Sequence, residues 1–144
     1  MRYYIDTSAI VAAHCTEPET ERVQEWLAHH SLTDLVISSW LLTEMESALS
    51  IKERRGEINT AQHRQIAKDI AVFGSRLASI EIPASTDFEV ASKLCSVATS
   101  RLRAGDAIHL AIALRLKSRY MITLDDVLME NAMSNGLLNG LVDR

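Results

Sequence analysis

Aromatic residues are scarce: three tyrosines, two tryptophans and two phenylalanines amount to 5% of 144 residues. That argues against a platform on which nucleic-acid bases stack. Only two cysteines occur, Cys15 and Cys95, in no CxxC or other zinc spacing. They read as structural thiols of a reducing compartment, not as a disulfide framework or a zinc site. No apolar run is long or unbroken enough to span a bilayer. Arg2 is followed almost at once by Asp6, so the start does not resemble a signal peptide. A cytoplasmic protein with no membrane partner is therefore expected. Positive charge is also short, with a net charge of −4, whereas proteins that grip nucleic acid over their whole surface are basic. Any contact with nucleic acid should be local and helped by metal ions or a partner.

What remains is an ordinary globular balance, 47% apolar and 24% charged, with enough chain to bury a core. Neither repeats nor linkers nor low-complexity tracts interrupt it, so residues 1–144 are expected to form one domain. RYYI is a short apolar run that meets Asp6, Thr7 and Ser8, a turn and helix-start cluster. AIVAAH and ETERVQEWLAHH then read as helices, the second with its acids early, where the helix dipole favours them. DLVIS predicts a second strand, WLLTEMESALSIKERR a helix ended by Gly56, and TAQHRQIAKDIAVFGSRL a helix capped by Asn59 or Thr60. SIEIP predicts a third strand and STDFEVASKLCSVATS a helix. AGDAIHLAIALRLK is apolar nearly all round, which predicts a buried helix. YMITL predicts a fourth strand, DDVLMENAMSNG a capped helix and LVDR a short last strand. Strands alternating with helices predict a parallel sheet covered on both faces.

Four acids lie where those strands end or the next helix begins: Asp6, Glu44, Asp106 and Asp125. Strand C-terminal ends line up along one edge of an open α/β sheet, where such folds bind ligands. Carboxylates gathered there repel one another, and a divalent cation is the simplest way to keep several ionised. Each acid also has an ordinary reading. Asp6 could be a turn or cap residue, although Thr7 and Ser8 could cap as well. Glu44 sits on the flank of an apolar helical stripe, where an interface salt bridge is common; Glu46 points away to solvent. Asp106 follows Gly105 and could cap the buried helix. One of Asp125 and Asp126 should be a first-turn acid; Asp125 is nearer the strand and is the site candidate, with Thr123 as an orienting hydroxyl. His109 follows Asp106 by one helical turn and reads as a packed or hydrogen-bonded residue, because carboxylate-bridged metal sites need an acid-x-x-His motif twice. Basic groups at Lys52, Arg54 and Arg55 and at Arg115, Lys117 and Arg119 read as solvated helix ends. Arg101 and Arg103 could flank a phosphate path.

The segments YIDTSAIV, SSWLLTEMESALSIKERRGEI, LRAGDAIHLAIAL and MITLDDVLMENAMSNGL, in that order and spacing, resemble the PIN-domain family, and within it the VapC-type toxins of toxin–antitoxin pairs. The resemblance spans essentially the whole chain. It implies a three-layer α/β/α fold around a central parallel sheet of four to five strands. It also implies an endoribonuclease that hydrolyses RNA with metal-activated water, leaving 5′-phosphate and 3′-hydroxyl ends. Its acidic site would fall on Asp6, Glu44, Asp106 and Asp125. Metal would be held by Asp6, Asp106 and Asp125, with Glu44 binding directly or through water and Asp126 as an alternative; Thr7, Ser8 and Thr123 would support the pocket. Mg²⁺, with Mn²⁺ as a substitute, suits an all-oxygen carboxylate set. A cognate antitoxin, an RNA substrate and a homodimer are the implied partners. Two other roles compete with the toxin: a PIN nuclease of RNA maturation, and a non-catalytic PIN-like binding module. A haloacid-dehalogenase-like phosphatase would need an acid two residues after Asp6, where Ser8 stands.

Overall fold

In the computed structural model, which describes residues 1–77 and 79–142, five short strands run parallel in one sheet. They are β1 (Tyr3–Ile5), β2 (Leu35–Ser38), β3 (Ile80–Glu81), β4 (Tyr120–Ile122) and β5 (Leu138–Asn139), in the spatial order β3-β2-β1-β4-β5. The first strand is therefore central, with Tyr3 in register with Leu35 on one side and Tyr120 on the other. Among the described residues, seven α-helices connect and cover the sheet: α1 (Thr7–His14), α2 (Thr20–Ala28), α3 (Ser39–Arg54), α4 (Thr60–Ser75), α5 (Ser85–Ser96), α6 (Ala104–Arg115) and α7 (Asp126–Ser134).

Successive strand side chains point to opposite faces, and each face has its own core. Tyr3, Ile5, Leu35, Ile37, Tyr120 and Ile122 pack with α1, with Leu41, Met45 and Leu49 of α3, and with Ile70 of α4. Tyr4, Val36 and Met121 pack on the other face with α6 and with Leu128, Met129 and Ala132 of α7. The predicted three-layer α/β/α arrangement follows. Each fully buried Leu or Ile of these layers contributes roughly 1.5–3 kcal/mol of transfer free energy. All residues of α6 from Ala107 to Ala113 are buried, as its all-round apolar sequence predicts.

Two local features differ from the sequence reading. The last strand is Leu138–Asn139, not LVDR: Leu138 N–H donates to Arg119 O, and Gly140 N–H to Met121 O, so the chain joins β4 earlier. Leu141 and Val142 lie past the strand, and Asp143 and Arg144 fall outside the described residues. In the second, α6 starts at Ala104 with Arg103 in the cap position, so Asp106 belongs to the helix's first turn and is not its cap. Asn59, not Thr60, caps α4 in a reciprocal capping box with Gln62. Gly56 takes the left-handed backbone (φ +74) needed to leave α3. Among the described residues no helix is long and apolar enough to cross a membrane.

Candidate active site

Because β1 is central and the sheet is parallel, the ends of β1 and β4 deliver their following residues side by side. Asp6 N–H donates to Ile122 O (3.0 Å), extending that pairing one residue beyond β1. Asp6 is itself the cap of α1, its Oδ1 accepting from Ala9 N–H (3.4 Å), so neither Thr7 nor Ser8 takes that role. Asp125 caps α7 in the same way through Leu128 N–H (2.8 Å), and Asp126 is the first-turn acid beside it. Glu44 comes from α3 and Asp106 from the first turn of α6. All four line one cleft of about 300 Å³, together with Thr7, Ser8, Ser47, Ala48 and Ile51. Asp126 does not line it. Among the described residues, neither Lys nor Arg does so either.

A hydroxyl network joins the two strand ends. The Ser8 hydroxyl donates to Asp6 Oδ1 (2.7 Å) and accepts from Leu124 N–H (2.9 Å). Thr123 Oγ1 lies 3.2 Å from Ser8 Oγ and accepts from Asp125 N–H (3.0 Å). Across the cleft, the Thr7 hydroxyl donates to Glu44 Oε1 (2.7 Å). The expected supporting hydroxyls Thr7, Ser8 and Thr123 are thus all bonded within the acid cluster or beside it.

Burial is the main force on Asp6, Glu44 and Asp106. It pushes the Asp6 carboxyl above its ordinary range, and the His109 ring, the hydroxyls of Ser8 and Thr123 and the Ala9 amide offset this only in part. Asp106 is pushed up to about 6, first by burial and then by the charges of Asp125, Asp6 and Glu44. Burial also acts upward on Glu44, but hydrogen bonds from His109 and Thr7 outweigh it and hold the group below the usual carboxylate range. So two of the four acids resist ionisation, and a third is held charged by named partners.

Two participants were not identified as such from sequence. His109, fully buried on α6, hydrogen-bonds Glu44 Oε1 through Nε2, while its Nδ1 stands 2.8 Å from the Tyr4 hydroxyl. This makes it a bonded partner of a site acid rather than half of an Asp-x-x-His metal motif. Gly105 is the other: a Cβ there would stand 2.6 Å from Glu44 Oε2. The Gly-Asp dipeptide was the only sequence signal for it. Arg101 and Arg103 are exposed and outside the cleft, and Arg101 pairs with Glu130 (3.1 Å).

Comparison with known proteins gives the family and bears out the fold. Residues 3–132 match the PIN domain family, and the chain belongs to that family. Its fold is similar to that of VapC20 from Mycobacterium tuberculosis, a sarcin–ricin loop cleaving toxin, at 15% identity over 94% of this chain and 96% of that one, TM-score 0.71. FitAcB from Neisseria gonorrhoeae is similar at 18% identity over 96% of this chain and 97% of that one, TM-score 0.73. VapBC2 from Rickettsia felis, bound to a DNA fragment from its promoter, is similar at 19% identity over 87% of this chain and 88% of that one, TM-score 0.60. At such identities the likeness establishes the fold alone. A search of curated proteins finds no match.

Proposed function

We infer that this chain is a divalent-metal-dependent endoribonuclease of the VapC toxin type. One observation carries the reading: four carboxylates from four separate elements line one cleft that, among the described residues, no Lys or Arg side chain lines. Among the described residues, no three His, Cys, Asp or Glu side chains converge closely enough to form a metal cage. The oxygen-only lining of the cleft suits Mg²⁺, a hard ion that takes carboxylates directly or through the waters it keeps. Asp6, Asp106 and Asp125 would hold it, with Glu44 acting directly or through a water, and Mn²⁺ could replace it. A bound ion supplies polarisation of the scissile phosphate and neutralisation of the charge that develops on it.

The remaining work falls to the chain. Asp6, one residue past the central strand and fixed by Ser8 and Ala9, sets the origin of the site. Asp106, pushed up to about 6 by burial and by its acidic neighbours in the metal-free chain, is the acid whose ionisation a bound cation would favour most, by offsetting that repulsion. An acid pocket without its own cation is also a receptor for a Lys or Arg side chain, which is how a cognate antitoxin would block it. Solved VapBC and FitAB assemblies with this fold support such a partner, and a homodimer belongs to the same reading.

The test is cleavage of total RNA by purified, antitoxin-free protein in Mg²⁺, Mn²⁺ or EDTA, beside Asp6→Asn. Metal-dependent cutting, lost by at least 10²-fold in a variant that still folds, is the expected outcome. Equal cutting by both proteins sinks the site assignment.

A further inference from the structure

Glu44 is held differently from the other three acids, and the holding is lopsided. Its Oε1 takes both of its bonds, from His109 Nε2 and from the Thr7 hydroxyl at 2.7 Å. Thr7 Oγ1 is itself 3.1 Å from Nε2, so the three groups form a closed triangle. A carboxylate oxygen accepts, so the bond between these two atoms runs from an Nε2–H. Behind the ring, the Tyr4 hydroxyl contacts Nδ1 at 2.8 Å, and the Tyr4 ring packs edge-on against the imidazole (5.7 Å between centroids). Tyr4 and His109 are both fully buried, so the imidazole has no freedom to turn. Glu44 Oε2, in contrast, has no donor among the described residues. It lies over Gly105, where even a Cβ would be only 2.6 Å away, next to the helical turn that carries Asp106.

We propose that His109 is a positioning residue which ties down one oxygen of Glu44, so that the site is offered a single oxygen and selects Mg²⁺ over Ca²⁺. This rests on the metal-dependent reading above. The physical link is coordination geometry. Ca²⁺ takes six to eight oxygens and accepts a carboxylate through both, whereas Mg²⁺ demands octahedral geometry and retains waters. A carboxylate whose Oε1 is occupied by two donors cannot chelate through both oxygens. Released from His109, Glu44 could rotate and do so, which favours the larger ion. Tyr4 acts one step further back, by fixing the ring that fixes the carboxylate. Hydrogen-bonding partners of metal-binding side chains commonly change metal affinity by about 10–100-fold when removed.

The experiment measures binding without RNA: calorimetric titration of metal-free protein with Mg²⁺ and with Ca²⁺, each variant first shown to be folded by its melt. The set is wild type, Asp6→Asn, His109→Leu, His109→Gln and Tyr4→Phe. The wild type should prefer Mg²⁺. His109→Leu should lose about tenfold in Mg²⁺ affinity while Ca²⁺ affinity holds or rises. His109→Gln, which keeps an N–H donor, should recover part of the preference, and a purely packing role would not predict that rescue. Tyr4→Phe keeps the ring and should shift the Mg²⁺/Ca²⁺ ratio in the same direction by less; it decides the matter alone if His109→Leu does not fold. An unchanged ratio in the folded variants overturns the proposal. Wild type that binds neither ion overturns this proposal and the metal reading together. Metal binding that is lost in Asp6→Asn but unaltered in His109→Leu overturns the positioning role only.

Discussion

Asp6 and Asp87 are each 2% exposed, but Asp6 lies deep in the protein and Asp87 close beneath its surface, and their surroundings push them in opposite directions. Asp87, near the start of α5, accepts from Arg115 Nε (2.9 Å) and Nη2 (3.0 Å) and from Ala84 N–H (2.7 Å). Burial acts upward on it, but the guanidinium and the amide outweigh burial and hold it below the usual range. Asp6 has the His109 ring, the Ser8 and Thr123 hydroxyls and the Ala9 amide but, among the described residues, no Lys or Arg in its cleft, and stays above that range. Asp87 is a joint: it ties α5 to the end of α6, and Arg115 Nη2 reaches on to Ile82 O (3.4 Å). Asp6 is an unmet demand. The difference teaches that the exposure of an acid says little by itself; its depth and the counter-charge that the fold supplies together decide how readily it ionises.

The comparison breaks most visibly when each acid is made neutral in metal-free protein. Asp87→Asn leaves the Arg115 guanidinium without its partner and should cost about 2–3 kcal/mol, less than a wholly buried pair because Arg115 can reach water. Asp6→Asn keeps the cap acceptor and removes an unbalanced charge, so it should be neutral or stabilising by about 1 kcal/mol. Denaturant melts in EDTA check both, and equal losses for the two variants would show that Asp6 is as structurally satisfied as Asp87.

Much of this contrast was open to sequence reading, and part of it was not. Asp6 and Asp125 stand where an apolar run meets a helix start, so local pattern alone brought them to the sheet edge. Glu44 could be placed on the flank of its helix by periodicity, without any sign of its partners. Those partners are 37 residues away in Thr7 and 65 in His109, and His109 meets Tyr4 across 105 residues. Contacts of that range depend on how layers stack, about which helical period is silent. Asp87 and Arg115 escaped for the same reason. The last strand was misplaced because two residues, Leu138 and Asn139, are too few to show alternation.

A smaller effect sharpens the comparison through pH. Asp106 is pushed up to about 6 from an ordinary 3.8, so the folded chain binds this proton more tightly than the unfolded chain. Metal-free protein should therefore gain stability as pH falls through about 6, the gain being complete below about 3.8. Solvent screening limits it to on the order of 1–2 kcal/mol. Asp87 works the other way: its stabilisation is full above its ordinary value and is lost as pH falls through its lowered one. His63 of α4, bonded to Glu46 and Glu53 (2.8 Å each), has a raised pKa and acts in the same direction as Asp106. The difference between wild type and Asp106→Asn isolates the cleft. That difference should shrink from pH 8 to pH 5 in EDTA, and a difference independent of pH would count against a crowded site.

The least disruptive change carries the contrast to the backbone. Gly105→Ala lies in the first turn of α6, where alanine is the better helix former by about 1 kcal/mol. The new Cβ would stand 2.6 Å from Glu44 Oε2, so the carboxylate end must move. A flexible side-chain end can yield at small energetic cost, and the two terms should leave stability within about 0.5 kcal/mol of wild type. Catalysis has no such tolerance, because a displacement of about 1 Å in a positioned group can cost on the order of 10²-fold. Glu44 is one of four acids and keeps its bonds through Oε1, so a loss of about tenfold in cleavage rate is expected, with an unchanged melt. A comparable change at a structural joint would behave in reverse, with stability falling and activity per folded molecule preserved. Rates and melts measured on Gly105→Ala and Asp87→Asn side by side therefore sort the two kinds of buried acid by function, and a Gly105→Ala protein that cuts RNA at the wild-type rate would mean that Glu44 needs no fixed position.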